Sequence, residues 1–185
     1  VTIGIHFRWG DRAHKTHEHV ISDPVHYIRS QSNLLKKLLH SHDSVLKGCK
    51  NISIEFFSEG DMNHFKNLQN HMSKEIGNYH INMFVRSPKD NSSTFDDVDR
   101  MTSADILLTG ASTFSNLMAA LNSKGVIIHF GSPENIVGID NAIMREKKPA
   151  GISISLFNKL FCSQMRKLPV RHYEVELSCD RHLIV

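Results

Sequence analysis

The chain has 185 residues, of which 40% are hydrophobic and 22% charged, and its net charge is +3. That is the make-up of one folded domain's worth of core, and so small a charge, with no long Lys/Arg block, excludes a nucleic-acid binder held by electrostatics. No run approaches the roughly 18 apolar residues of a membrane span, and no signal peptide is visible.

Taken in order, Val1-Thr2-Ile3-Gly4-Ile5 is a β-branched run that predicts a buried strand. His6-Phe7-Arg8-Trp9-Gly10-Asp11 then carries the chain into a turn. A chain that starts on Val within a strand pattern reads as a domain cut from a longer protein. The compartment, secretory pathway (ER/Golgi) or cytoplasm, is therefore left open, with targeting segments expected to be absent from the fragment. Arg12 to His19 is a polar loop whose His14, His17, Glu18 and His19 have a spacing that can ligate metal. A solvated loop is the simpler reading, and no metal site is expected.

Pro24 follows Ser22-Asp23 as a first helical residue, and Val25, Ile28, Leu34, Leu35, Leu38 and Leu39 recur at mostly helical spacing up to about His40. Asn51 to Phe57 predicts the second strand, with Ser58-Glu59-Gly60-Asp61 as its polar exit and Asp61 as a cap for a helix through Phe65, Leu68, Met72 and Ile76. Tyr79 to Val85 predicts the third strand, and Thr94 opens a helix through Phe95, Val98 and Met101. Ala104-Asp105-Ile-Leu-Leu-Thr109 is almost continuously apolar, as a central parallel strand is. Gly110 to Ser115 is a small-residue turn into a helix over 116–122, and Val126 to Phe130 is the fifth strand. Residues 152–167 have helical spacing, and Tyr173 to Leu177 alternates like an edge strand.

Cys49, Cys162 and Cys179 are widely spaced and give neither a disulfide framework nor a zinc motif. Asn51-Ile-Ser53 and Asn91-Ser-Ser93 fit the glycosylation sequon, a triplet common by chance. Asp43, Glu55, Glu174 and Glu176 read as solvated faces, and Leu117, Met118 and Leu121 as core.

Strand and helix alternating in this way predict an α/β fold, a doubly wound parallel Rossmann-like sheet in the order 3-2-1-4-5. Residues 1–150 form the ligand-binding domain, and 151–185 supply a C-terminal helix and edge strand packing on it. In that order the first and fourth strands are neighbours, and the topological switch point lies between the Arg8 exit and the Ser112 turn. Ligands of open α/β sheets bind there, beyond the carboxyl ends of the strands.

The chemistry at that crevice suits a diphosphate. Arg8 presents a fork of donors that matches phosphate oxygens. Ser112, Thr113, Phe114 and Ser115 open a helix whose positive end favours an anion. His6 and Asp105 can read the edge of a base, and a carboxylate that accepts two N–H bonds favours guanine. Taken singly each is commonplace: a surface turn, a helix cap, a core histidine, a strand-start residue. Their expected adjacency makes them a site.

These residues also carry a family resemblance. His6-Phe-Arg8-Trp-Gly-Asp11 resembles the His-x-Arg-Arg-(Gly/Thr)-Asp motif of the fucosyltransferase superfamily, with Trp9 where many members have a second Arg. Phe56-Phe57-Ser58-Glu59-Gly60-Asp61 is similar to its Phe-Ser-Asp-Asp or Ala-Thr-Asp segment. Asp97-x-Asp99-x-Met101-x-x-Ala104-Asp105, continued through Gly110-Ala111-Ser112-Thr113-Phe114-Ser115, is similar to its third block, with Ala111 replacing the familiar Asn. The three matches fall in family order within residues 1–130.

The resemblance implies the C-terminal, donor-binding half of a GT-B glycosyltransferase that transfers fucose from GDP-fucose, with inversion, to a glycan or protein acceptor. It implies no metal and no cofactor beyond the donor substrate, and an acceptor-binding domain on the N-terminal side, outside this chain. By that analogy Arg8 is catalytic, binding the β-phosphate and neutralising the leaving GDP. His6 and Asp105 contact the guanosine end, Ser112, Thr113, Phe114 and Ser115 line the diphosphate site, and Ser58, Glu59 and Asp11 belong to the donor site. Asp11 and Glu59 are also the candidates for a general base. The alternative is a non-catalytic or degenerate module that keeps the nucleotide crevice without turnover.

Overall fold

The computed structural model describes residues 1–8, 24–60, 62–77, 79–86, 94–110, 112–130, 142–145 and 154–167. Within them the strands are β1 (Thr2–Phe7), β2 (Ser53–Glu59), β3 (Ile81–Arg86), β4 (Ile106–Gly110), β5 (Val126–Phe130) and β6 (Ala142–Arg145). The helices are α1 (Pro24–His40), α2 (Met62–Ile76), α3 (Thr94–Ser103), α4 (Thr113–Leu121) and α5 (Ile154–Lys167), with a short 3-10 turn at Val45–Gly48.

All pairings are parallel, and the strand order is β3-β2-β1-β4-β5-β6. The expected 3-2-1-4-5 order forms, and β6 extends it at one edge. Four residues, Ala-Ile-Met-Arg, are too short a run to announce a strand by period alone. The expected strand at Tyr173–Leu177 lies outside the described residues.

Strand alternation sorts the core into two layers. Ile3, Ile5, Phe7, Ile54, Phe56, Ile106, Leu108, Val126 and Ile128 face α1, α2 and α5, whose Leu35, Leu38, Phe65, Met72, Phe157 and Phe161 are buried against them. Phe57, Leu107 and Ile127 face the other way, onto Met101 of α3 and Met118 and Ala119 of α4. Helices on both faces let the sheet reverse its winding between β1 and β4, which creates the switch point.

Two expectations about burial are corrected. Leu117 and Leu121 are 53% and 54% exposed, and Met118 alone of that trio is core. The inward stripe of α4 is Ser115, Met118, Ala119 and then Asn122, a 3-4 spacing that leaves both leucines one residue off the buried side. Glu55 is buried instead of solvated, because Arg100 Nη1 donates to its Oε1 at 3.1 Å and so compensates the charge. Among the described residues Cys49 is a free thiol.

The amino end of the sheet is tied tightly. Asp105 Oδ2 accepts from Thr2 N at 2.8 Å, Asp105 N donates to Thr2 O at 3.0 Å, and Val126 N donates to Asp105 O at 2.9 Å. Asn122 Nδ2 donates to Met101 O and Ala104 O at 3.0 and 2.9 Å, while its Oδ1 accepts from Gly125 N and Lys124 N at 2.7 and 3.2 Å. Gly125 is required in this turn, since a Cβ there would stand 2.2 Å from Ala104 O.

Candidate functional site

At the switch point the two central strands part. β1 and β4 pair through Ile3↔Ile106, Gly4↔Leu107 and Ile5↔Leu108 and no further. On their outer sides pairing continues to Phe7↔Ser58 and Gly110↔Phe130. The carboxyl ends of the two strands therefore part beyond Ile5 and Leu108, with Arg8 following one and Ser112 the other. Two segments about a hundred residues apart meet there because parallel strands share one carboxyl edge.

His6 bridges this opening. It lies one residue past the last β1–β4 pair, and its Nδ1 is 2.5 Å from Ser115 Oγ on α4. Its ring also packs against Phe114 with centroids 5.3 Å apart. Burial, with the nearby Arg8 charge acting in the same sense, lowers the His6 pKa to about 4, so the ring is neutral at pH 7. Ser115 is fully buried, Phe114 half-buried and Thr113 exposed at the helix mouth.

Ser112 occupies the N-cap position of α4 in extended conformation, but its side chain makes no cap hydrogen bond. Its hydroxyl is buried without a partner. The first turn of α4 also lacks an acidic side chain, whereas that of α3, at the end of β3, holds Asp96 and Asp97. Asp97 forms a bidentate pair with Arg86, Nε to Oδ2 at 2.8 Å and Nη2 to Oδ1 at 2.6 Å. The positive end of α3 thus has its own carboxylates, and that of α4 has none in its first turn.

Ser58 ends up beside the crevice in a supporting role. Its hydroxyl donates to Phe7 O at 2.6 Å, which fixes the carbonyl next to Arg8. Glu59 is exposed at the end of β2. Beyond it Gly60 takes φ 128°, a backbone conformation open to glycine, and donates its N–H to Arg86 O. Asp11, and the loop with His14, His17, Glu18 and His19, lie outside the described residues. Among the described residues no group of three or more His, Cys, Asp or Glu is arranged to hold a metal ion, and no helix is long and apolar enough to cross a membrane.

Asp105 is not brought to the crevice. It precedes β4, and its carboxylate is bonded to Thr2 at the amino end of β1. That is roughly 15 Å, the length of the strand, from the Ser112 side. The expectation that it contacts a base is corrected by direction alone: a residue entering a parallel strand sits at the edge opposite the ligand edge.

Polar residues that the sequence reading omitted do belong to the carboxyl end. Thr109 and His129, opposite one another on β4 and β5, are both fully buried, with Oγ1 and Nδ1 at 2.9 Å. His129 Nε2 is buried without a partner, as is Asn116 Oδ1 on α4. A buried polar atom left unpaired costs about 1–3 kcal/mol, so such groups mark places shaped by something besides stability. The available signal was a histidine interrupting the apolar strand Val126–Phe130.

A groove of about 560 Å³ lies elsewhere, under α3, lined by Thr2, Glu55, Phe84, Arg86, Asp99 and Arg100 among others. Both of its arginines are engaged: Arg86 holds Asp97, and Arg100 holds Glu55 while standing 4.7 Å above the Phe84 ring. It is a structural groove between α3 and the sheet.

No protein-family model and no curated protein matches the chain.

Proposed function

We propose that the crevice between Arg8 and the mouth of α4 binds the diphosphate of a nucleotide sugar, GDP-fucose. The chain is then the donor-binding half of an inverting, fucosyltransferase-like glycosyltransferase of GT-B architecture, whose acceptor is a glycan or protein. The observation that carries this reading is the parting of β1 and β4 after Ile5↔Leu108, with His6 and Ser115 joined across the gap. On this reading a guanidinium and an acid-free helix N-terminus share one opening.

In that opening the division of labour follows from charge. Arg8 forms charge-assisted bonds to the diphosphate and stabilises the negative charge that grows on it as the glycosidic bond breaks. The dipole of α4 acts on the same charge from the other side. Neutral His6 holds Ser115, and with it the first turn of α4, in place. Glu59, exposed on the rim, and Asp11 are the carboxylates proposed to take the acceptor's proton.

A thermal-shift screen of nucleotides and nucleotide sugars tests the reading. At about a hundred times its Kd a ligand stabilises by roughly 2.7 kcal/mol, or about 5–10 °C for a chain of this size. Guanosine diphosphates are expected to stand apart, and a flat screen contradicts the proposal. Binding of GDP with no turnover of GDP-fucose, even with an acceptor half supplied, favours the non-catalytic nucleotide-binding module instead.

A further inference from the structure

Among the described residues, buried side-chain nitrogen or oxygen atoms without a hydrogen-bond partner occur on five residues: Gln31, His71, Ser112, Asn116 and His129. Three of those five lie on the single β4–α4–β5 unit, and topology collects them in one place. Met118 and Ala119 of α4 pack on the face shown by Leu107 and Ile127. Thr109 and His129, two residues further along the same strands, keep that face and move towards the carboxyl edge. Because α4 runs back along the sheet from that edge, its first turn, with Ser112 and Asn116, sits at the same carboxyl edge as Thr109 and His129.

We propose that Ser112, Asn116 and His129 form a neutral, acceptor-rich subsite behind the diphosphate cradle, which receives N–H and O–H donors of the ligand's nucleoside. The inference rests on the crevice reading above and takes over the role that Asp105 is too far away to play. Asn116 Oδ1 can only accept, and the Ser112 hydroxyl can do either. His129 is neutral because burial lowers its pKa. In the tautomer whose Nδ1–H donates to Thr109 Oγ1, 2.9 Å away, its Nε2 presents a lone pair. Donors at the front (Arg8 and the helix mouth) and acceptors behind match a molecule that is anionic at one end and donor-bearing at the other. As folded, the three atoms are closed to solvent, so a nucleoside reaches them by turning these side chains. No cap bond from Ser112 resists that movement.

The test uses the whole chain and two probes, GDP and inorganic pyrophosphate, by isothermal titration and by imidazole ¹⁵N NMR of the wild-type protein. Asn116 is only partly buried, so Asn116→Leu is a variant expected to fold. We expect at least a tenfold weaker GDP affinity in Asn116→Leu with unchanged pyrophosphate affinity. We also expect a shift of the His129 Nε2 resonance on addition of GDP but not of pyrophosphate. Unchanged GDP affinity together with an unmoved His129 resonance overturns the subsite and leaves the crevice reading standing, the cluster then being an internal site for water. Equal weakening of both probes overturns it too, as mere distortion of the helix mouth. A wild-type chain that binds neither probe overturns the crevice reading, and the subsite falls with it.

Discussion

The two ends of one sheet are built on opposite terms. At the amino end Asp105 is bonded to Thr2, Asn122 to Met101, Ala104 and Gly125, and Arg100 neutralises buried Glu55. At the carboxyl end Ser112, Asn116 and His129 hold buried atoms with no partner, and the His6 pKa is forced down by burial and by Arg8. The same strands run through both. The difference teaches where stability is stored and where it is forgone, and an end that forgoes it is where a ligand has work to do.

Mutations should therefore separate the ends. The largest effect belongs to Asn122→Ala, which strips partners from Met101 O, Ala104 O, Lys124 N and Gly125 N. At about 1–3 kcal/mol for each buried group left unpaired, some of them reached by water, we expect a loss of roughly 4 kcal/mol in urea unfolding. GDP affinity of the folded fraction should not change. A variant as stable as the wild type would show that the amino end is not the structural one.

The next effect is one of pH and belongs to the carboxyl end. The His6 pKa is about 4 in the folded chain against an ordinary 6.5. Above pH 6.5 the ring is neutral in both states and stability is at its full value. As pH falls from 6.5 towards 4 the unfolded chain takes up a proton that the folded chain refuses, so stability drops. One such shift amounts to roughly 3 kcal/mol across that window, and His129, lowered by burial, adds in the same direction. Urea titrations at stepped pH should give a steep slope for the wild type and a shallower one for His6→Gln. Equal slopes would mean that His6 is not held neutral in the folded state.

Ser112→Ala should have the smallest effect on stability. Removing an ordinary Ser N-cap costs about 1 kcal/mol. Here the hydroxyl makes no cap bond and is buried unpaired, so thermal unfolding should move by less than about 0.5 kcal/mol in either direction. A full capping loss would return Ser112 to a structural role.

Much of this architecture could be read from the chain, and the reasons are specific. β-branched runs marked the strands, β5 falls on Val126–Phe130 as expected, and the apolar stretch of β4 announced a central strand. The convergence of Arg8 and Ser112 followed from strand order. The charge of Asp105 suggests a ligand contact, but its position before the strand sets it at the opposite edge. Hydrophobicity points Leu117 and Leu121 inward, but the face of a helix is decided by its neighbours, and Ser115 and Asn122 take the inward side for hydrogen bonding. The Thr109–His129 pair could not be read at all. Only register sets those two residues opposite each other, and only packing removes water from the second imidazole nitrogen.

The most direct measurement is the affinity of GDP for the wild type and for Arg8→Ala, by isothermal titration at one fixed salt concentration. Loss of a charge-assisted diphosphate contact at this opening predicts a penalty of roughly 2–4 kcal/mol, which is about 30-fold to 1,000-fold weaker binding. A folded Arg8→Ala chain that binds GDP as tightly as the wild type contradicts the account.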